Sequence, residues 1–345
     1  MNKATFYAIL AAALYAINIP VSKTLLTNVG PATLASALYL GAGFGMLFVY
    51  LALGKNHYNK EKHLNKNDTF YTFLMVVLDI AAPIFLMIGL SKTNSANVSL
   101  LNNFEIVATS IIAFAVFKEV ISKRLFAAIV IVMISSVLLS FEGEGSFAFN
   151  TGSLYVLLAC ICWGLENNST RKLSEKSSYE IVIVKGILSG TGSFLVSRIL
   201  SEDVPNLKTI GIMLLLGFVA YGLSIFFYVL AQKDLGAAKT SAYYSIAPFL
   251  GVIFSFIILS EKPNLLFYPA LVLMIIATVI MVNDSIKLQH THMHVHIHTH
   301  EHSHGDLVHT HEHSHEHSHS HVHGSELDNH DHFTDHLSDH NHSHN

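Results

Sequence analysis

Charge is scarce in this sequence. Asp, Glu, Lys and Arg make up 13% of the 345 residues, about half of the roughly 25% usual in soluble globular proteins, which argues against a soluble enzyme domain. A basic domain is missing as well: the formal net charge is -4, whereas nucleic-acid binding needs a concentrated positive face. Cysteine is nearly absent. Cys160 and Cys162 are the only two; two apart on a helix they point to different sides, a poor geometry for a disulfide. No Cys-x-x-Cys zinc pattern is present, so both read as packing residues. No Gly-x-x-x-x-Gly-Lys-Ser/Thr loop occurs, which disfavours ATP-driven chemistry, and no catalytic constellation is apparent.

What is abundant is apolar sequence and histidine. Hydrophobic residues make 51% of the chain and the mean hydropathy is +0.46, although the last fifty-odd residues are very polar. Of 24 histidines, 22 lie between His290 and His344. Two compositions are joined in one chain.

Apolar runs of about 20 residues cross a roughly 30 Å hydrocarbon core at 1.5 Å per residue. Ten such runs lie near 4–24, 31–53, 69–90, 95–117, 123–140, 150–169, 179–200, 208–231, 237–259 and 264–283. The first is too long for a signal-peptide core and no clean small-x-small site follows it, so it is expected to stay as the first helix. Placing the N-terminus in the cytoplasm puts thirteen Lys and Arg in inner connections, from Lys3 to Lys287, against five outside: Lys23, Lys92, Arg198, Lys208 and Lys262. The positive-inside rule therefore favours both termini on the cytoplasmic side of the cell membrane.

The runs repeat. Sliding by 148 lays Tyr15 on Trp163, Ala16 on Gly164 and Lys23 on Arg171; sliding by 145 lays the small-xxx-small pair Gly41/Gly45 on Gly186/Gly190. Ser95-Ala96 opens the fourth run and Glu119 closes it; Ala237-Ala238 opens the ninth and Glu261 closes it, 142 residues on. Five is odd, so the second half enters the membrane with opposite topology. The expected fold is all-α: ten transmembrane helices in two inverted five-helix repeats, 1–145 and 146–287, followed by a disordered tail, 288–345. A substrate site is expected near mid-membrane between the halves.

These features resemble the EamA-type branch of the drug/metabolite transporter superfamily over residues 4–283. The carrying residues are the aromatic-small pair opening each half, Ser95-Ala96 to Glu119, and Ala237-Ala238 to Glu261 with Ser245-Ile246-Ala247-Pro248. The resemblance implies a ten-helix exporter of small metabolites. The first half departs from it at Ile106, where the ninth run has Pro248.

An ionisable side chain at mid-bilayer costs roughly 2.5–3.5 kcal/mol even on the lenient insertion scale, so it is a functional hypothesis by default. Asp79 and Glu105 each lie about ten residues into adjacent spans. Asn102, Glu105 and Thr109 share a helical face, and Pro83, on the face of Asp79, would free a carbonyl to line a cavity. In the other half, Tyr221 matches Asp79 and Tyr244 matches Asn102, so the cavity is expected to be acidic on one side and phenolic on the other. Asp79 and Glu105 read either as proton or cation sites or as partners of a structural cation, for which Lys185 is the candidate. Tyr15 and Trp163 read as cavity walls or interfacial anchors. Glu119 and Glu261 read as interfacial helix ends that tie loops. Asn167 and Asn168, after Glu166, fall where polar residues need no special role. The glycine pairs read as close helix packing within the chain or in a homodimer.

In the tail, histidine alternates with other residues: His292, His294, His296, His298, His300, His302 and His304, then His311, His313, His315, His317, His319, His321 and His323. Alternate residues of an extended chain share a side about 6.5–7 Å apart, and imidazole suits Zn, Ni, Cu and Co. With almost no apolar content the tail is expected to bury no core. No cofactor is required elsewhere; a divalent transition metal, Zn or Ni, fits the tail. The leading expectation is a secondary exporter of a small metabolite working by alternating access. The second is a divalent metal exporter, with the tail collecting ions and Asp79 and Glu105 passing them.

Overall fold

The computed structural model describes residues 3–54, 63–118, 121–141, 150–169, 173, 176–235, 237–304 and 307–322. Among them, nine helical segments are long and apolar enough to cross a membrane: α1 Lys3–Leu25, α2 Pro31–Ala52, α3 Lys66–Lys92, α4 Ser95–Val116, α5 Lys123–Ser140, α7 Tyr179–Ile199, α8 Leu207–Gln232, α9 Lys239–Leu259 and α10 Phe267–Asp284. The sixth expected span is also a helix, α6 Thr151–Ser169. It has the length but not the hydropathy, because Glu166, Asn167, Asn168 and Ser169 occupy its last turn. Every expected span begins and ends within three residues of its helix.

Small residues fill part of the interior, and many large ones face outward. The interior of α1 is Ala4, Ala8, Ala11 and Ala12, all fully buried, while Phe48, Phe70, Ile199 and Ile257 point outward. Lipid tails are as apolar as Leu, so nothing drives large side chains inward, and small residues let backbones approach. A Cβ on Gly186 would stand 2.5 Å from the Gly43 backbone, and one on Gly41 would meet the Leu214 carbonyl of α8. Gly45 faces the ring of Phe218 and Gly190 the backbone of Leu40 in the same way. Both glycine pairs are therefore consumed between α2, α7 and α8 of one chain. This corrects the expectation that they could form a homodimer face.

Three spans are interrupted. α1 consists of helices Lys3–Ala16 and Asn18–Leu25, because Pro20 has no N–H for the Ala16 carbonyl. α9 breaks at Ser245–Ile246 between Ala237–Tyr244 and Ala247–Leu259, where Pro248 leaves the Tyr244 carbonyl without its donor. α4 breaks at the matching place, Asn102–Asn103, without a proline. There the Asn103 amide donates to the Leu100 carbonyl at 3.2 Å, a side chain competing with the helix for a backbone acceptor. α8 carries a π-helical stretch, Phe218–Leu223, and such bulges recur at functional sites. Pro83 is instead absorbed inside a continuous helix, Thr69–Lys92.

The chain divides into two units, Met1–Ile286 and Lys287–Asn345. In the second, the described backbone runs as two antiparallel strands, β1 Gln289–His304 and β2 Leu307–Val322. The alternation of histidine with Thr, Val, Ile and Ser has the strand period of two, and Gly305-Asp306 between the runs is a two-residue hairpin signal. The register sets histidine opposite histidine at seven positions, from His290↔His321 to His302↔His309. His323 lies outside the described residues.

Candidate functional site

A cavity of about 320 Å³ lies where the interrupted helices meet. α1 gives Tyr15, α2 gives Tyr39 and Ala42, and α4 gives Glu105; α6 gives Trp163, Glu166 and Asn167, α7 Lys185, α8 Tyr221 and α9 Tyr244. Both halves thus contribute to one wall. The breaks explain the location: a spanning helix that stops and restarts turns side chains and main-chain dipoles toward a shared space that regular helices would close.

Lys185 organises the charges. Its ammonium stands 2.9 Å from Asp79 Oδ2 and 3.2 Å from Glu166 Oε1. Asp79 is fully buried behind the cavity wall, and Tyr39 Oη donates to its other oxygen at 3.0 Å. Of the two readings for Asp79, the structure realises the structural pair with Lys185. Glu105 is held differently. Asn167 Nδ2 donates to its Oε1 at 2.9 Å and lies 3.4 Å from Thr109 Oγ1, while Asn168 donates to the Thr109 carbonyl at 3.0 Å. Among the described residues no cation pairs with Glu105.

The lining is also phenolic. Tyr15 meets Tyr221 edge-on, with centroids 5.9 Å apart and planes at 82°, and Tyr244 lies 6.0 Å from Tyr15. Tyr221 Oη accepts from buried Asn18 at 3.1 Å. Tyr15 and Trp163 are cavity walls, the first of the two readings the sequence left open. Asn102 sits at the break in α4 and is not part of the wall, and Thr109 supports Asn167 rather than facing the space.

One face of the bundle is tied by carboxylates that cross from the second half to the first. Glu202, in the connection after α7, accepts from the Ala32 and Thr33 amides at the start of α2, at 3.1 and 2.7 Å. Glu261, after α9, accepts from the Ser95 and Ala96 amides at the start of α4, at 2.9 and 3.0 Å. A helix N-terminus has unpaired N–H groups and a positive dipole end, so an anion is stabilised there. The two ends of the repeat motif, Ser95-Ala96 in one half and Glu261 in the other, meet in space. Glu119 lies outside the described residues.

The chain matches the description of the EamA-like transporter family over residues 2–141 and 150–283. It belongs to that family. It is 25% identical over 271 residues to an uncharacterized transporter of Methanothermobacter thermautotrophicus, covering 73% of this chain and 78% of that one. It is 22% identical over 206 residues to the uncharacterized transporter YyaM of Bacillus subtilis, covering 57% and 68%. One solved crystal structure superposes with a TM-score of 0.60 over 83% of this chain and 98% of its own, at 14% identity; at that identity the likeness is one of fold. The protein is a multi-pass membrane transporter, not an enzyme.

Sequence reasoning missed Tyr39, Glu166, Asn167 and Glu202. Glu166 and Asn167 were assigned no role because they fall near a helix end. Both lie one turn beyond Trp163, at the i+3 and i+4 positions that share its face, and that spacing could have found them. Tyr39 and Glu202 meet partners 40 and about 170 residues away, a proximity that no local pattern carries.

Proposed function

We propose that the protein is a secondary exporter that moves a small metabolite across the cytoplasmic membrane by alternating access, with both termini in the cytoplasm. The observation that carries this reading is a charged, aromatic cavity whose lining is shared by two inverted halves and sits at their helix breaks. The two halves rock about it, and the Glu202 and Glu261 caps hold one face shut while the substrate is reached from the other. The asymmetric Lys and Arg count sets the orientation. A divalent metal is a less suitable cargo, because Asp79 and Glu166 are already gripped by the Lys185 ammonium, which a metal would have to displace.

In this reading the tail is a separate metal-binding appendage for zinc or nickel. The histidine alternation supports this reading, since alternate residues of an extended chain share a side about 6.5–7 Å apart and imidazole suits zinc and nickel. The transport reading is tested by reconstituting the full chain into vesicles loaded with a defined mixture of cell metabolites and following release by mass spectrometry. Release of at least one metabolite above protein-free vesicles is expected; identical profiles would refute it. The tail is tested by titrating zinc into the full chain and a chain ending at Lys287. Tight binding to the first alone is expected, and equal binding to both would remove the tail from the account.

A further inference from the structure

Among the described residues, the side chains around the cavity hold more carboxylates than ammonium groups. Three carboxylates are on or just behind its wall, Asp79, Glu105 and Glu166, and one ammonium, that of Lys185, serves two of them at 2.9 and 3.2 Å. Glu105 has a neutral amide as its partner, Asn167 at 2.9 Å. A carboxylate at this depth needs a counter-charge, since an unpaired ion in a low-dielectric setting costs several kcal/mol or more. The same cavity is lined by the rings of Tyr15, Tyr221, Tyr244 and Trp163. Ring faces carry partial negative charge and attract cations within about 6 Å. A cavity of about 320 Å³ is at the small end of the roughly 300–1,000 Å³ typical of ligand sites.

We infer that the cargo of this cavity is a small organic monocation, an amine with an apolar body, whose ammonium pairs with Glu105 and whose body lies among the tyrosines and Trp163. The inference rests on the transport reading above and names its substrate class. An amino acid is a poorer fit: its carboxylate would need a cation, and Lys185 is already shared between Asp79 and Glu166. A carboxylate substrate meets the same obstacle and lacks the ammonium as well.

Trp163 is the only tryptophan in the chain, it is 7% exposed, and it lines the site, so its fluorescence reports occupancy directly. The full chain is purified and titrated with phenethylammonium, phenylalanine and phenylacetate, three probes that share a ring and differ in charge. A saturable change in Trp163 emission with phenethylammonium is expected, with the other two binding at least about tenfold more weakly, phenylalanine because its carboxylate lacks a cation and phenylacetate because it also lacks the ammonium. Glu105→Gln should weaken phenethylammonium by about the same factor, Glu105→Asp should keep most of the affinity, and Asp203→Asn, which removes an exposed carboxylate away from the cavity, should change nothing. Thermal unfolding of each variant checks that it is folded. Equal affinity for all three probes, no saturable change with any, or an unchanged affinity in a folded Glu105→Gln protein would overturn the inference. Flux of phenethylammonium in vesicles separates the two claims. Charge-selective binding without flux defeats the transport reading and leaves the cation site standing; flux that ignores charge defeats the cation site and leaves transport standing.

Discussion

The helices α4 and α9 hold corresponding places in the two halves, break at corresponding places, and present opposite chemistry. α4 stops at Asn102–Asn103 and turns Glu105 into the cavity; α9 stops at Ser245–Ile246 and brings Tyr244. One break is made by Pro248, the other by an asparagine amide that captures a carbonyl. The duplicated feature is thus the interruption itself, which exposes polar main chain at mid-membrane, while the side chains around it have diverged. The fold is nearly symmetric and the site is not. A substrate therefore meets a carboxylate from α4 and a phenol from α9.

That contrast can be broken most severely at Lys185. Lys185→Met leaves fully buried Asp79, and Glu166 beside it, without their shared ammonium, and stripping one partner from a buried pair costs about 3–5 kcal/mol. A large fall in the unfolding midpoint in detergent is expected, with much of it recovered in Lys185→Met/Asp79→Asn. The matched change among the tyrosines, Tyr221→Phe, removes one hydrogen bond, to Asn18, and should cost about 1 kcal/mol. Equal losses from the two changes would erase the asymmetry. Gly43→Leu tests the packing of α2 against α7. A side chain there runs into the Ile187 backbone, and overpacking of this kind costs about 1–3 kcal/mol, again read from the unfolding midpoint. Glu261→Gln offers one acceptor oxygen to the two amides of Ser95 and Ala96, so it loses one hydrogen bond and the charge at the helix end, together worth about 1–2 kcal/mol; its expected signature is a modest midpoint shift with an altered transport rate. Ending the chain at Lys287 should be smallest of all for the bundle: no change in its unfolding midpoint, with the zinc capacity gone.

Much of the fold was legible because its cause is local. Span length, glycine pairs and the Lys and Arg count follow from bilayer thickness, backbone approach and membrane charge, all of which a single segment displays. Even so, α6 shows the limit: its last turn is polar enough to fall below a hydropathy threshold, and those same residues, Glu166 and Asn167, supply the site. Asp79, Glu105, Lys185 and the tyrosine pairing could be named because ions in apolar runs are conspicuous. Their partners could not. Whether Lys185 would neutralise Asp79 or leave it free depends on how α3, α6 and α7 pack, and the caps from Glu202 and Glu261 join residues about 170 apart.

The central claim is that the two halves move against each other about the cavity, opening the face that Glu202 holds shut. It is tested most directly by replacing Thr33 and Glu202, whose backbone N–H and carboxylate lie 2.7 Å apart, with cysteine in a chain whose Cys160 and Cys162 are alanine. The pair is then joined with a short cleavable thiol crosslinker in vesicles while substrate flux is followed. Flux should stop when the link forms and return when it is cut. Undiminished flux through a fully crosslinked protein would contradict the account.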